Sequence, residues 1–446
     1  MSLIKLKQQD WIYNAGLVGF VNILNHHKEN SVLVSKHSIE FSPIELNNFE
    51  EKYFNYYIYK YEKFTSLYNI LNYKERLFSL RKEISEEDYI DTLNTFNEII
   101  KDIKDKVSSN SYKRVYSLVG KNQEFMSIIK EIKLATKTQK EKFSVLEEKM
   151  DNQLEIISTV IDMLSDEEVK RLIYIQLIKF NVINKMLSNS SFLNKQFKGN
   201  DEVEYGNYFT HSAKEYVNSD HSNYKYNCIC CDSKIKGVNK PHSFNLTWIN
   251  KVGVDESRKS SHFWDCNANA YVCPMCNLIF SCIPIGFNFL MNKGIFLNQN
   301  SNLLDLIDLN KPIFNKYLNN TKKEIEKEIK SRELDTLLLD QFTDIQIITV
   351  DTSNDNYHIN FNLLNYQQVK FIRNNKNRLQ SLINKNIKDE SNETYMNLYE
   401  EVLKHIINNK SMFKFLLYLN KITNSHICDL ENILILNNNF LGEMRM

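Results

Sequence analysis

Apolar residues crowd the stretch Trp11–Leu24 near the start of the chain, and their density predicts a helix. Apolar and polar residues then alternate over Ser31–Phe41, which is typical of strand structure. An aromatic run, YFNYYIYKYEKF, comes next. We therefore expect a small sheet flanked by helices within residues 1–60.

Residues 60–195 are poor in glycine and carry helical periodicity. The apolar positions that follow helical spacing are Leu154, Ile157, Ile161, Leu164, Leu172, Ile175 and Ile178. The pattern breaks near Ser165, which we expect to cap the helix that begins with Asp166-Glu167-Glu168. Residues 196–225 are polar and predict a loop.

The second half alternates between both kinds of pattern. Short strands are expected around a cysteine-rich segment at 226–300, and a helix is expected over 312–340. The runs IQIITV (345–350) and YHINFNLL (357–364) flank TSNDN and predict a hairpin. From Asn365 to Ile422 the pattern is helical again.

Composition narrows the class of protein. The chain has 446 residues, of which 42% are hydrophobic, and only 10 are glycine and 5 proline. These values favour a helix-rich globular protein and exclude disordered and collagen-like chains. The net charge is +1, so any affinity for nucleic acid must come from local patches.

The uncharged segment Cys266–Met291 is long enough to cross a membrane. It also contains Pro274, Pro284 and four cysteines, which favours a buried metal-bearing segment instead. The first twenty residues lack the features of a signal peptide. We expect a cytoplasmic protein without a membrane partner.

Seven of the eight cysteines fall between Cys228 and Cys282, and four of them form two CxxC pairs. Each pair can present two thiolates from one turn, so two pairs complete the tetrahedral shell that Zn²⁺ prefers. The predicted ligands of a structural zinc ion are Cys228, Cys231, Cys273 and Cys276. The alternative is a set of buried cysteines without metal. Further thiols and imidazoles lie nearby, namely Cys230, Cys266, Cys282, His221, His242 and His262.

Sequence motifs of several enzyme classes are missing. The chain has no HExxH, GxSxG, GxGxxG or Walker loop, and Val272 stands where a zinc deaminase has proline before its CxxC. Four sulfur ligands would leave zinc no open position for a reaction. We therefore expect a binding protein and no enzyme, although a nuclease with dispersed carboxylates stays open.

Two segments concentrate positive charge. Residues 101–142 contain eleven Lys or Arg against five Asp or Glu, and residues 370–388 contain six against none. In the first segment, helical spacing would place Lys130, Lys133, Lys137 and Lys140 on one helix face. In the second, we expect nucleic-acid contacts from Lys370, Arg373, Lys376 and Arg378. The alternative for both is a solvated helix face.

Four stretches of the sequence together resemble a known family. They are WIYNAGLVGFVNIL, IEFSPIELNNFEEKYFNYYI, CICC and YVCPMCNLIFSCIPIGF. The chain is similar in them to the CXXC-CXXC family, the large subunits of type I-B CRISPR surveillance (Cascade) complexes. The resemblance covers roughly residues 11–60 and 226–290, and it carries the metal role over to the four cysteines of the CxxC pairs.

The resemblance implies a non-catalytic subunit that reads the protospacer-adjacent motif in duplex DNA, aids R-loop formation and recruits a helicase-nuclease. Implied partners are crRNA, target DNA, and the backbone, crRNA 5′-handle-binding and small subunits. Family members often end in a helical bundle that doubles as the small subunit. Because only about eighty residues follow the predicted hairpin, we expect either a shortened bundle or a small subunit that is supplied as a separate chain. The competing hypotheses are a zinc-stabilised nuclease and a scaffold that binds only proteins.

Together these patterns predict an α+β fold that is predominantly helical. We place an N-terminal mixed α/β and helical domain at 1–225 and the zinc module, inserted into it, at 226–300. A helix and a hairpin at 301–364 complete the N-terminal domain, and a C-terminal helical region spans 365–446.

Overall fold

The computed structural model describes residues 3–138, 140–252, 271–290, 293–311, 345–351, 358–389, 394–422 and 427–443. They form a predominantly helical fold with four small sheets, which confirms the predicted α+β class. Within these ranges no helix has both the length and the apolarity needed to span a bilayer.

The helices, in chain order, are α1 Trp11–His27, α2 Phe49–Tyr61, α3 Ser66–Glu83, α4 Ile90–Val107, α5 Asn110–Leu118, α6 Asn122–Glu131, α7 Phe143–Leu164, α8 Glu167–Asn181, α9 Asp201–Tyr205, α10 His211–Asn218, α11 Pro274–Ser281, α12 Ile283–Gly286, α13 Leu303–Leu309, α14 Tyr366–Asn374, α15 Lys376–Leu382, α16 Leu398–Ile407, α17 Phe413–Ile422 and α18 Ile427–Glu443. A π-helical turn, Gly206–Thr210, joins α9 to α10.

The strands are β1 Ile4–Lys7, β2 Val32–Val34, β3 Ser38–Phe41, β4 Tyr226–Asn227, β5 Lys234–Ile235, β6 Asn288–Leu290, β7 Lys293–Asn298, β8 Ile345–Asp351, β9 His358–Leu364, β10 Asn386–Asp389 and β11 Thr394–Asn397. They form antiparallel sheets in the orders β1-β3-β2, β4-β5, β6-β7-β8-β9 and β10-β11.

The chain folds into two compact units. The first unit contains Met1, residues 23–31 and residues 42–281, and the second contains residues 2–22, 32–41 and 282–446. Both are discontinuous in sequence, and the second joins two segments near the start of the chain to residues 282–446. The first unit contains α2 to α11 and the sheet β4-β5. The second contains the sheets β1-β3-β2, β6-β7-β8-β9 and β10-β11.

Aromatic side chains of α2 organise the core of the first unit around the end of α11. The Tyr53 and Tyr205 rings stack with their centroids 4.2 Å apart. The Tyr53 hydroxyl donates to the Ser281 carbonyl at 3.0 Å, and the Tyr205 hydroxyl lies 2.7 Å from Ser281 Oγ. The aromatic run of the sequence therefore becomes buried core that fixes the position of α11.

The second unit confirms the predicted hairpin, because β8 and β9 pair in antiparallel register from Ile345 opposite Leu364 to Asp351 opposite His358. The predicted helix at Trp11–Leu24 is also confirmed, as α1. The small sheet expected near it is present as β1-β3-β2.

Three local expectations are wrong. The N-cap of α8 is Asp166, whose side chain accepts from the Val169 N–H, whereas the Ser165 hydroxyl donates backward to the Ile161 carbonyl at 2.7 Å. Residues 196–225 are largely helical, because the Asn200 side chain caps α9 and apolar side chains recur at helical spacing. The helical stretch over 365–422 is interrupted by the β10–β11 hairpin.

Four sequence expectations fall on residues that the structure does not describe. These are the helix over 312–340, the TSNDN turn, Cys266 and His262.

Two glycines let α1 approach α12 within the second unit. A Cβ atom on Gly286 would lie 2.1 Å from the Ala15 carbonyl oxygen, and one on Gly19 would lie 2.2 Å from the Cys282 carbonyl oxygen. Because backbone atoms cannot move aside as a flexible side chain can, only glycine permits this packing.

We expect Gly286→Ala to lower the free energy of unfolding by about 1–3 kcal/mol, the usual cost of forcing extra atoms into a packed contact. The matched control is Gly442→Ala in α18, where an added Cβ meets no atom within 4 Å. The control should be neutral or stabilising by about 0.5–1 kcal/mol. Urea denaturation followed by circular dichroism measures both, and equal stability of the two variants would contradict the close approach.

Candidate metal centre

The first CxxC pair lies in a tight turn between β4 and β5. The Cys228 N–H donates to the Ser233 carbonyl at 2.9 Å, and the Asp232 N–H donates to the Cys228 carbonyl at 3.0 Å. Asp232 adopts a left-handed backbone conformation with a φ of 59°, which reverses the chain. The turn therefore holds Cys228 and Cys231 close to each other.

The second pair stands at the start of α11. Val272 forms an antiparallel bridge with Phe244, and Pro274 occupies the first helical position, where its missing N–H costs nothing. Cys273 thus precedes the helix and Cys276 lies in its first turn. The Ile229 N–H donates to the Tyr271 carbonyl at 3.1 Å and joins the two pairs through the backbone.

The four sulfur atoms of Cys228, Cys231, Cys273 and Cys276 lie within 4.8 Å of one another. The sulfurs of Cys231 and Cys273 are 3.7 Å apart. A regular tetrahedron with Zn–S bonds of about 2.3 Å separates its sulfurs by about 3.8 Å, so the cluster has the dimensions of a ZnS₄ centre. Three of the side chains are buried and Cys231 is half-buried.

Backbone amides also point at the sulfurs. The Cys273 N–H lies 3.2 Å from Cys228 Sγ, and the Cys276 N–H lies 3.4 Å from Cys273 Sγ. Such hydrogen bonds favour the thiolate form, which is the form that binds metal. These hydrogen bonds would stabilise the metal-binding form of the cysteines, and the spacing of the sequence motif alone does not reveal them.

Without a cation, the pKa values of the clustered thiols shift in opposite directions. Hydrogen bonds from Cys228, and then from Cys273 and Cys276, lower the pKa of Cys231. Burial, followed by hydrogen bonding to Cys228, raises the pKa of Cys273 well above its usual value. Four thiolates this close together, three of them buried, would need a positive ion among them, and the donor set fits a closed structural site that can hold a metal such as zinc.

The neighbouring thiols and imidazoles that could also bind metal lie outside the four-cysteine cluster. Cys230 is half-buried in the same turn, and Cys282 is buried one residue before α12. His221 directs Nε2 at the Tyr216 carbonyl at 2.7 Å, and His242 is half-buried. Within the described ranges the four cysteines are the one group of His, Cys, Asp or Glu with the spacing of a metal site.

The first basic segment does not form the expected helix face. Lys130 lies in α6, which ends at Glu131, and Lys133, Lys137 and Lys140 follow in an irregular connection to α7. Tertiary contacts hold this connection in place. The Asn97 side chain pairs with both backbone groups of Ala135, at 2.8 and 2.9 Å. The Gln153 side chain accepts from the Lys133 N–H at 2.7 Å.

The second basic segment spans α14 and α15 in the second unit. Lys370 and Arg373 share one face of α14, while Lys376 and Arg378 belong to α15. Lys370 and Arg378 are exposed, and the other two are half-buried. Arg378 donates to the Asn432 side chain at 3.2 Å, which leaves most of its guanidinium donors toward solvent.

Sequence reasoning overlooked Tyr216, which supports the first cysteine turn. Its hydroxyl donates to the Lys234 carbonyl at 2.9 Å. The signal was available, because Tyr205, Phe209 and Ala213 recur every four residues and predict the helix that carries it.

Residues 221–288 match a family of CRISPR-associated proteins, described as Cas_CXXC_CXXC. The match takes in all four clustered cysteines and supports a CRISPR-associated protein. Neither a curated protein nor a solved structure matches the chain.

We expect elemental analysis of the purified protein to find one zinc ion per chain, because four clustered thiols fill one tetrahedral shell. Cys276→Ser should lose at least nine-tenths of the bound metal during dialysis against a chelator, whereas Cys428→Ser, which removes an exposed cysteine of the second unit, should keep it. Metal retention should fall on acidification, since protons compete for the thiolates. Equal metal content in the two variants would contradict the proposed centre.

Proposed function

We propose that this protein is the non-catalytic large subunit of a type I-B CRISPR surveillance complex. In that role it recognises the protospacer-adjacent motif in duplex DNA, aids R-loop formation and recruits the helicase-nuclease. The observation that carries the proposal is the coincidence of the four-sulfur cluster with the segment 221–288, which matches a CRISPR-associated family.

The chemistry of the cluster supports a binding role. A metal ion held by four cysteine sulfurs has no vacant position at which water could be activated, so the ion would stabilise the fold and take no part in hydrolysis. The backbone amides of Cys273 and Cys276 are directed at sulfur and would help to stabilise the thiolates that hold such an ion.

The charge distribution supports a subunit that shares nucleic acid with partners. The whole chain has a net charge of +1, which gives little long-range attraction for DNA. The run 370–388, with six basic residues and no acidic one, can still neutralise phosphates locally. Guide pairing would read the target, so the protein itself needs only a short flanking motif.

Co-expression with the neighbouring genes tests this role. Purification through a tag on this chain should bring down the backbone, 5′-handle-binding and small subunits together with crRNA, as identified by mass spectrometry and RNA sequencing. The same chain expressed alone is the control and should cleave no nucleic acid. Metal-dependent cleavage that persists through repurification would favour a nuclease, and assembly with proteins but without RNA would favour a scaffold.

We expect the double charge reversal Lys370→Glu with Arg378→Glu to weaken DNA binding by the assembled complex at least tenfold at low salt. The slope of log K against log salt should fall by about 2, since each lost phosphate contact removes about one released counterion. The matched control is Lys28→Glu with Lys82→Glu, two exposed lysines of the first unit. Binding curves that coincide for the two double variants at every salt concentration would remove the second basic segment from the DNA interface.

A further inference from the structure

The first unit contains a cavity of about 170 Å³ next to the second CxxC pair. One wall is formed by Ser212 and Tyr216 of α10 and by Ser219, which follows the helix. The other walls come from the segments around the cysteines and include Tyr224, Lys236, Pro241, His242 and Pro274, the first residue of α11. The cavity is partly open to solvent, so a ligand can reach it.

The walls are held in place before any ligand arrives. The Tyr216 hydroxyl is anchored on the Lys234 carbonyl, and its ring stacks on His221 at 4.3 Å. His221 stacks in turn on Tyr224 at 5.0 Å. Pro274 stands between two of the clustered cysteines, so the same packing that forms the metal centre fixes this wall.

The lining combines flat apolar surfaces with polar groups. Two tyrosine rings and two proline rings offer faces for stacking, and the His242 ring and the two serine hydroxyls offer hydrogen bonds. Lys236 is exposed at the rim. The carboxylate of Glu215 lies 3.2 Å from His211 Nε2 and adds an acceptor there.

The segment that supplies every lining residue except Pro274 carries a small net positive charge. Residues 211–242 contain five lysines against three acidic residues. One of these cations, Lys240, lies over the Tyr208 ring at 4.7 Å. A ligand with a flat polar ring joined to a negative group would match both the walls and the rim.

We propose that this cavity binds one unpaired base of a single-stranded nucleic acid, with the base stacked on Tyr224 and the adjoining phosphate facing Lys236. The nucleic-acid partner rests on the proposed function. Pockets for drug-sized ligands measure about 300–1,000 Å³, so this cavity suits one ring system and leaves the sugar and phosphate outside. A paired base has no free face to offer, which favours single strands over duplex.

The test uses the full-length, metal-loaded chain alone, with single-stranded DNA and single-stranded RNA that each contain one 2-aminopurine. Binding should change the fluorescence of this base, and the matching duplex should bind more weakly. Tighter binding of one of the two single strands identifies DNA or RNA as the source of the base.

Variants then locate the contact. Tyr224→Ala should weaken binding about 5- to 150-fold, the equivalent of about 1–3 kcal/mol for one stacked base, and Tyr224→Phe should restore it. The matched control is Tyr226→Ala, since Tyr226 is exposed on β4 two residues away. Lys236→Ala should lower the salt slope by about 1, whereas Lys225→Ala should leave it unchanged. Metal content and the unfolding midpoint are measured for each variant to show that it folds.

Equal affinity of Tyr224→Ala and Tyr226→Ala, or an unchanged 2-aminopurine signal, would overturn the cavity proposal. That result would leave co-purification with the crRNA complex untouched. Conversely, base uptake by a chain that never co-purifies with CRISPR subunits would reject the proposed function and keep the cavity. The two proposals therefore fail separately.

Discussion

The fold of the first unit brings four cysteine sulfurs so close together that thiolates there would repel one another without a cation. About forty residues separate the two pairs in sequence, and yet their sulfurs lie within 4.8 Å of one another. Because Cys276 lies in the first turn of α11, an ion at this centre also fixes where that helix begins. The far end of α11 is fixed by Tyr53 and Tyr205 at Ser281, so one helix links the cluster to the aromatic core.

Those parts of the molecule that obey a local rule could be predicted from the sequence. Zinc-type CxxC spacing is such a rule, and so are the dense apolar run of α1 and the alternation in β8 and β9. In each case neighbouring residues alone carry the signal. The family match over 221–288 falls on the same local feature.

Those parts of the structure that depend on tertiary contacts could not be predicted from the sequence. The lysines from Lys130 to Lys140 repeat at helical spacing, but the side chains of Asn97 and Gln153 bind the backbone of the segment and hold it out of a helix. Because Asn97 and Gln153 are distant from this segment in sequence, a local pattern cannot predict these contacts. The predicted loop over residues 196–225 is wrong for another reason, because the many polar residues there obscure the helical spacing of Tyr205, Phe209 and Ala213.

The apolar string LIFSCIPIGF has a physical explanation in these contacts. Its first half forms the buried body of α11, and Gly286 near its end allows the backbone of α12 to touch that of α1. The residues of this string are therefore explained by helix packing and by the position of α11 next to the cysteine cluster.

The discontinuous second unit affects the order of events on the ribosome. Helix α1 is made early, but its partner α12 follows some 260 residues later. At about 5–20 residues per second, translation leaves the apolar side chains of α1 without their final neighbours for on the order of tens of seconds. The first unit ends at Ser281, only two residues before α12 begins, so its last segment and the partner of α1 are synthesised at nearly the same time. A nascent chain of this protein therefore carries a hydrophobic helix without its final partner through more than half of its synthesis, which is the kind of surface that chaperones bind.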